Sequence, residues 1–200
     1  MTVFLAIVSC GKNEVQEIPD EIFDDLVFTA SFEGANSRVS VSEDGDGYKL
    51  AWSADDDLAV YTRKTKTKYI YNSTDDVFKR ASSNVGPSLN TNYYAVHPYT
   101  VAAQSISEDG EVAVDMLLEQ NHEVNSFGLN ANVMVSSCPK PESASDTPVE
   151  LSFKNLGGYL RLFLYGEDVV VKSIELRGNN DEILSGSANV KIEQDAAPEI

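Results

Sequence analysis

Apolar and polar residues alternate with a period of two in many short stretches of the chain. Phe28, Ala30 and Phe32 alternate with residues that carry a hydroxyl group, and Gly34 follows soon after. A half-buried β-strand has this pattern because successive side chains point to opposite faces of a sheet. The pattern therefore predicts a strand around residues 28–32.

A similar alternation surrounds the acidic segment 43–47, which contains Asp-Gly pairs. The alternating residues on its two sides are Val39, Val41, Tyr48, Leu50 and Trp52. Two alternating runs around Asp-Gly are typical of a β-hairpin. A calcium-binding loop is the alternative, but Tyr48 stands where an oxygen ligand would be needed. We therefore predict a hairpin and no metal site.

Further short strands are predicted along the rest of the chain, because β-branched and aromatic residues cluster between turn residues. These stretches are 58–61, 69–71, 77–78, 93–99, 112–118, 132–135, 149–153, 159–165, 169–176 and 188–192. No segment of 11 or more residues combines helical spacing of apolar positions with capping residues. The rhythm of short strands and turns predicts an all-β sandwich.

Residues 139–148 interrupt this rhythm, because they contain Pro139, Pro141 and Pro148 and no large apolar side chain. A chain of 200 residues is long enough for one large or two small domains. Residues 139–148 are therefore interpreted as a long loop or as a linker, and a linker would separate a β-sandwich domain over 26–138 from the start of a second β-sandwich domain over 149–200.

The chain is strongly acidic, with 32 Asp and Glu against 15 Lys and Arg and a formal net charge of −17. This charge repels nucleic acids, so we expect no nucleic-acid partner. The one basic tract, 63–68, is interpreted as a solvated hairpin end whose lysines discourage pairing at a sheet edge.

No catalytic motif is present in the sequence. The chain lacks a Gly-rich phosphate loop, a Gly-x-Ser-x-Gly turn and metal-ligand spacing of His and Cys. Its two cysteines, Cys10 and Cys138, do not indicate a disulfide framework. Cys138 follows an apolar stretch and is predicted to be a small buried residue. We therefore expect neither enzymatic activity nor a cofactor.

The N-terminus has the apolar run 3–8, followed by Ser9 and Cys10. This arrangement resembles the lipobox of a bacterial lipoprotein signal peptide and implies that Cys10 is lipidated and that residues 1–9 are removed. The run is too short to span a bilayer, which takes roughly 20 apolar residues. Residues 10–25 are acidic and are predicted to be a flexible spacer, with a short helix over 20–26 as the alternative.

The order of several short blocks resembles that of the fimbrillin-like lipoproteins of Gram-negative anaerobes, the subunits and anchors of type V pili. The blocks are the Cys10 lipobox, 28–34, 37–38, Trp52 followed by 57–61, 93–99, 151–156 and 171–178. The resemblance implies transthyretin-like Greek-key β-sandwich domains, here one complete N-terminal domain and the start of a second. Because the chain stops at residue 200, we expect the second domain to be truncated.

The resemblance also implies a function in cell adhesion at the surface of the outer membrane or in a fimbrium. Subunits of this kind associate with one another by donor-strand addition, in which one chain contributes a strand to the sheet of the next. A protease cut after Arg38 would release the strand at 28–32. Whether the protein is a stalk, anchor or tip is left open.

The alternative function is a monomeric surface lipoprotein that binds glycans or host ligands. Exposed aromatic rings would stack on sugars, and Trp52 is the leading candidate for that role, with Tyr93, Tyr94 and Tyr99 beside it. The alternation around these residues places several of them in the core instead.

Overall fold

The described residues contain eleven β-strands and no α-helix. The computed structural model describes residues 26–32, 42–44, 47–49, 51–81, 92–121, 127–142, 148–158, 160, 162, 164–180 and 182–200. The strands are β1 (Phe28–Phe32), β2 (Ser42–Asp44), β3 (Gly47–Lys49), β4 (Asp57–Tyr61), β5 (Thr67–Asn72), β6 (Val77–Arg80), β7 (Asn92–His97), β8 (Glu111–Met116), β9 (Met134–Pro139), β10 (Val149–Asn155) and β11 (Gly186–Lys191). The predicted all-β class is confirmed.

Seven of the strands form one sheet that closes on itself in the order β1-β10-β9-β7-β4-β5-β6. The ring closes where β6 meets β1 at the pair Phe28 and Phe78. Among these strands β1 and β10 are parallel, with Phe28 opposite Val149 and Phe32 opposite Phe153, and the other pairings are antiparallel. The transthyretin-like arrangement stays a prediction.

Two smaller sheets accompany the ring. β8 and β11 form an antiparallel pair, in which Val114 lies opposite Ala188. β2 and β3 form an antiparallel pair in which Asp44 lies opposite Gly47. This pairing confirms a hairpin around Asp-Gly, whereas Val39, Val41 and Leu50 of the predicted strands lie outside the described residues.

Two clusters of buried side chains lie on opposite faces of the seven-stranded sheet. One contains Phe28, Trp52 and Phe153, and the other contains Val112 of β8 and Val190 of β11. Strand β4 contributes to both, because Leu58 and Val60 enter the first cluster while Ala59 and Tyr61 enter the second. This burial on both faces explains why 58–61 is a continuous apolar run, since a strand covered on both sides has no polar face.

Two strand predictions are wrong. The described residues of 159–165 and all of 169–176 belong to no strand. Their large apolar side chains are exposed, namely Leu160, Leu162, Leu164, Tyr165, Val169, Val170, Val171, Ile174 and Leu176. The sequence has the residue types of strands, but a strand also needs a partner edge to which its backbone can hydrogen-bond.

The predicted division between residues 26–138 and 149–200 does not match the strand pairing. β10 lies between β1 and β9 in the seven-stranded sheet, so it completes the sheet built by the strands before it. Residues 140–148 connect the neighbouring antiparallel strands β9 and β10. A proline-rich interruption has the composition of an interdomain linker, and composition does not reveal which sheet the next strand joins.

Candidate functional site

Two of the predicted site residues, Cys10 and Arg38, lie outside the described residues. Lipidation at Cys10 and cleavage after Arg38 therefore stay predictions from the sequence. The acidic spacer 10–25 lies outside the described residues as well.

Trp52 is a core residue with 8% of its surface exposed. Its ring stacks on Phe32 with centroids 4.7 Å apart and lies perpendicular to the ring of Phe78, with centroids 4.9 Å apart. Its indole nitrogen donates a hydrogen bond of 3.1 Å to the carbonyl oxygen of Ala30. This burial excludes the sugar-stacking role considered for Trp52, because its ring is enclosed by other side chains.

The three tyrosines proposed beside Trp52 are also engaged within the protein. Tyr93 and Tyr94 are buried. Tyr99 is half-buried and is covered by the ammonium groups of Lys66 and Lys68, which lie 4.1 and 5.3 Å from its ring centroid. Strand β7 is buried on both faces, because Tyr93 enters the first cluster and Tyr94 the second.

Cys138 is confirmed as a small buried residue. Burial raises the pKa of its thiol to about 12, so the sulfur stays protonated at neutral pH. The thiolate is the reactive form of cysteine, and this site does not favour it.

The basic tract 63–68 lies at the end of the β4–β5 hairpin, as predicted, but its side chains are partly buried and not fully solvated. It turns between β4 and β5, and Lys66 donates hydrogen bonds of 3.0 and 2.6 Å to the carbonyl oxygens of Tyr99 and Ala102. Lys64 forms a salt bridge with Glu108, which lies on the same neighbouring segment as Tyr99 and Ala102. Burial lowers the pKa of Lys66. The lysines therefore fasten this hairpin to the segment 99–108.

Strand β1 has a distinctive position, because it closes the seven-stranded ring between β6 and β10. It is followed by residues 33–41, which contain Arg38. Phe28 is fully buried and Phe32 nearly so. If β1 left, the facing edges of β6 and β10 would lose their partner and the core would lose two aromatic side chains. We call this position the β1 seat.

The apolar strap, residues 160–176, is the second distinctive feature. It belongs to the connection between β10 and β11, which covers residues 156–185. Connections in compact domains rarely exceed about 15 residues without secondary structure of their own. Clusters of exposed aliphatic side chains such as those of the strap mark interaction surfaces. The strap therefore has the composition of a strand and the exposure of a contact surface.

Other classes of site receive no support from the described part of the chain. It contains no group of three or more His, Cys, Asp or Glu side chains placed to hold a metal ion. None of its helical segments has the length and apolarity to cross a membrane. No family model, curated protein or solved structure matches the chain.

Proposed function

We propose that the protein is a cell-surface lipoprotein of fimbrillin type that assembles with other subunits by donor-strand addition. It would serve as a structural subunit or anchor of an adhesive fimbria on the outer membrane, and its sheet would be a transthyretin-like sandwich. The β1 seat is the observation that carries the proposal. One short parallel strand closes a sheet that is otherwise antiparallel, and a candidate cleavage residue follows that strand.

An incoming strand could take the place of β1. Removal of β1 would leave unpaired N–H and C=O groups along β10 and a groove where Phe28 and Phe32 had been. Such an exposed edge is a template for pairing with another chain. Main-chain hydrogen bonds then supply affinity, and alternate side chains that fill the groove supply the register.

The apolar strap has the pattern that such a donor needs. Leu160, Leu162 and Leu164 recur every second residue and are all exposed. The same spacing separates Phe28, Ala30 and Phe32 of β1. In the proposed assembly the strap of one copy fills the β1 seat of another.

Assembly predicts SDS-resistant ladders in unboiled membrane extracts of cells that express the full chain. The double variant Leu162→Asp, Leu164→Asp should abolish the ladder, because a carboxylate in an apolar groove costs several kcal/mol. The thermal midpoint of the monomer should change little, since both side chains are exposed. The matched control is Leu118→Asp, an equally polar change at an exposed leucine outside the strap.

Two outcomes would count against this assembly. A ladder that persists in the double variant would exclude the strap as donor, and a protein that is strictly monomeric in native membranes would exclude donor-strand addition. Arg38→Ala separates cleavage from strand addition. This variant should retain β1 and give a weaker ladder if cleavage after Arg38 opens the β1 seat.

The lipid anchor gives an independent prediction. Cys10→Ala should move the protein from the membrane fraction to the soluble fraction, since stable anchoring depends on the acyl chains. Mass spectrometry of the mature N-terminus would identify acylation at Cys10 in the wild type and would also detect cleavage after Arg38. A wild-type protein whose Cys10 carries a free thiol would overturn the lipoprotein assignment.

A further inference from the structure

A cleft of about 450 Å³ opens where three separate segments meet. Its walls come from the turn before β4, the end of β7 and residues 127–132. The lining combines polar and apolar side chains, including Asp55, Asp56, His97, Phe127 and Leu129. Ligand sites in proteins have this size and this mixture of apolar walls with a few polar groups.

The carboxylates of Asp55 and Asp56 give the cleft a negative charge. Asp56 Oδ2 accepts a hydrogen bond of 2.6 Å from the backbone N–H of Ser53. Asp57 does not contribute, because its two oxygens are taken by the Tyr99 backbone N–H at 2.9 Å and the Lys68 ammonium at 2.7 Å. Asp55 and Asp56 form no ion pair among the described residues, and the cleft lining contains no lysine or arginine. Burial raises the pKa of Asp56 to about 6, although the hydrogen bond from the Ser53 backbone N–H opposes this rise; the nearby charges of Asp57 and Asp55 add to it.

His97 adds a hydrogen-bond acceptor to the lining of this cleft. Only 5% of its surface is exposed. Its Nδ1 lies 2.9 Å from the carbonyl oxygen of Asp57, which accepts a hydrogen bond and therefore places the proton on Nδ1. Burial lowers the pKa of His97 to about 4, so the ring is neutral at pH 7. Nε2 then carries a lone pair and can accept a hydrogen bond.

We propose that this cleft binds an organic cation in which a primary ammonium group is attached to an apolar body. The ammonium group supplies three N–H donors and a positive charge, which match the carboxylate of Asp56 and the lone pair of His97 Nε2. The apolar body lies against Phe127 and Leu129. Anions are repelled by Asp55 and Asp56.

The proposed ligand class can be tested with three small molecules of the same shape and different charge. Benzylamine is the cation, benzyl alcohol the neutral analogue and benzoate the anion. Isothermal titration with the full chain at pH 7 should show saturable binding of benzylamine. Benzyl alcohol should bind at least about tenfold more weakly, as expected when a charge-assisted hydrogen bond is lost, and benzoate should not bind.

Variants assign the binding to the cleft. Asp56→Asn should weaken benzylamine binding about tenfold, and Asp55→Asn should weaken it less because its carboxylate is more exposed to water. Glu150→Gln is the control, since it removes the same charge from an exposed position on β10 outside the cleft. The ¹⁵N chemical shift of His97 Nε2 should change on titration of the wild type, which reports the contact without any substitution.

Three results would overturn the proposal. They are equal affinity for benzyl alcohol and benzylamine, unchanged affinity in Asp56→Asn, and absence of saturable binding at millimolar benzylamine. Equal affinity for the two analogues would show that the cleft recognises a neutral ligand.

Discussion

Replacement of Trp52 with alanine is expected to lower the free energy of unfolding by about 4 kcal/mol, the range found when a large buried aromatic side chain is truncated. The indole packs between Phe32, Phe78 and Phe153 and is almost fully buried. Its removal would leave a cavity at the centre of the first cluster. It would also leave the carbonyl oxygen of Ala30 without its indole donor.

Urea unfolding followed by circular dichroism measures this loss. Tryptophan fluorescence is unsuitable because Trp52 is the only tryptophan in the chain. Tyr165→Ala is the matched control, since Tyr165 is 91% exposed and its truncation should change the free energy by less than about 0.5 kcal/mol. A loss of less than about 1 kcal/mol for Trp52→Ala would contradict the core position and would revive the sugar-stacking role.

Local alternation was sufficient to locate most strands in the sequence. Phe28, Ala30 and Phe32 form β1, and the apolar run at 58–61 forms most of β4. These predictions succeed because the period of a strand is a local property. The pairing of β1 with β10 is not local, because Phe28 and Val149 are brought together by the whole intervening chain. The sequence therefore revealed strands without revealing the sheet.

The strap shows that a strand-like composition does not by itself produce a strand. Residues 169–176 have the composition of a strand, and their exposure in the structure depends on the absence of a neighbouring edge among the described strands. The cleft escaped sequence analysis for a related reason. Asp56 and His97 are far apart in the sequence and belong to no motif, so only the meeting of β4 with β7 brings their segments together.

Acidification should destabilise the protein through His97. The pKa of this residue is lowered to about 4 by burial, against an ordinary value of 6.5 in the unfolded chain. Between these values the unfolded chain binds a proton that the folded protein does not bind. The His97 contribution to stability is therefore complete above pH 6.5 and decreases by about 3 kcal/mol as the pH falls to 4.

Asp56 has the opposite effect in nearly the same range. Its pKa is raised to about 6 from 3.8, so the folded protein binds the extra proton and gains stability as the pH falls from 6 to 3.8. The dependence of wild-type stability on pH would thus understate the effect of His97. The comparison that isolates it is wild type against His97→Gln, because all other titrating groups are common to both proteins.

Urea unfolding of these two proteins at a series of pH values between 7 and 4 tests the expectation. The stability of the wild type relative to His97→Gln should fall by about 3 kcal/mol across this range. The stability of Asp56→Asn should fall more steeply with decreasing pH than that of the wild type, because the opposing proton uptake by Asp56 is removed. Parallel profiles for wild type and His97→Gln would mean that His97 takes up its proton as readily in the folded protein as in the unfolded chain. Such a result would contradict the buried, neutral imidazole on which its role as an acceptor in the cleft depends.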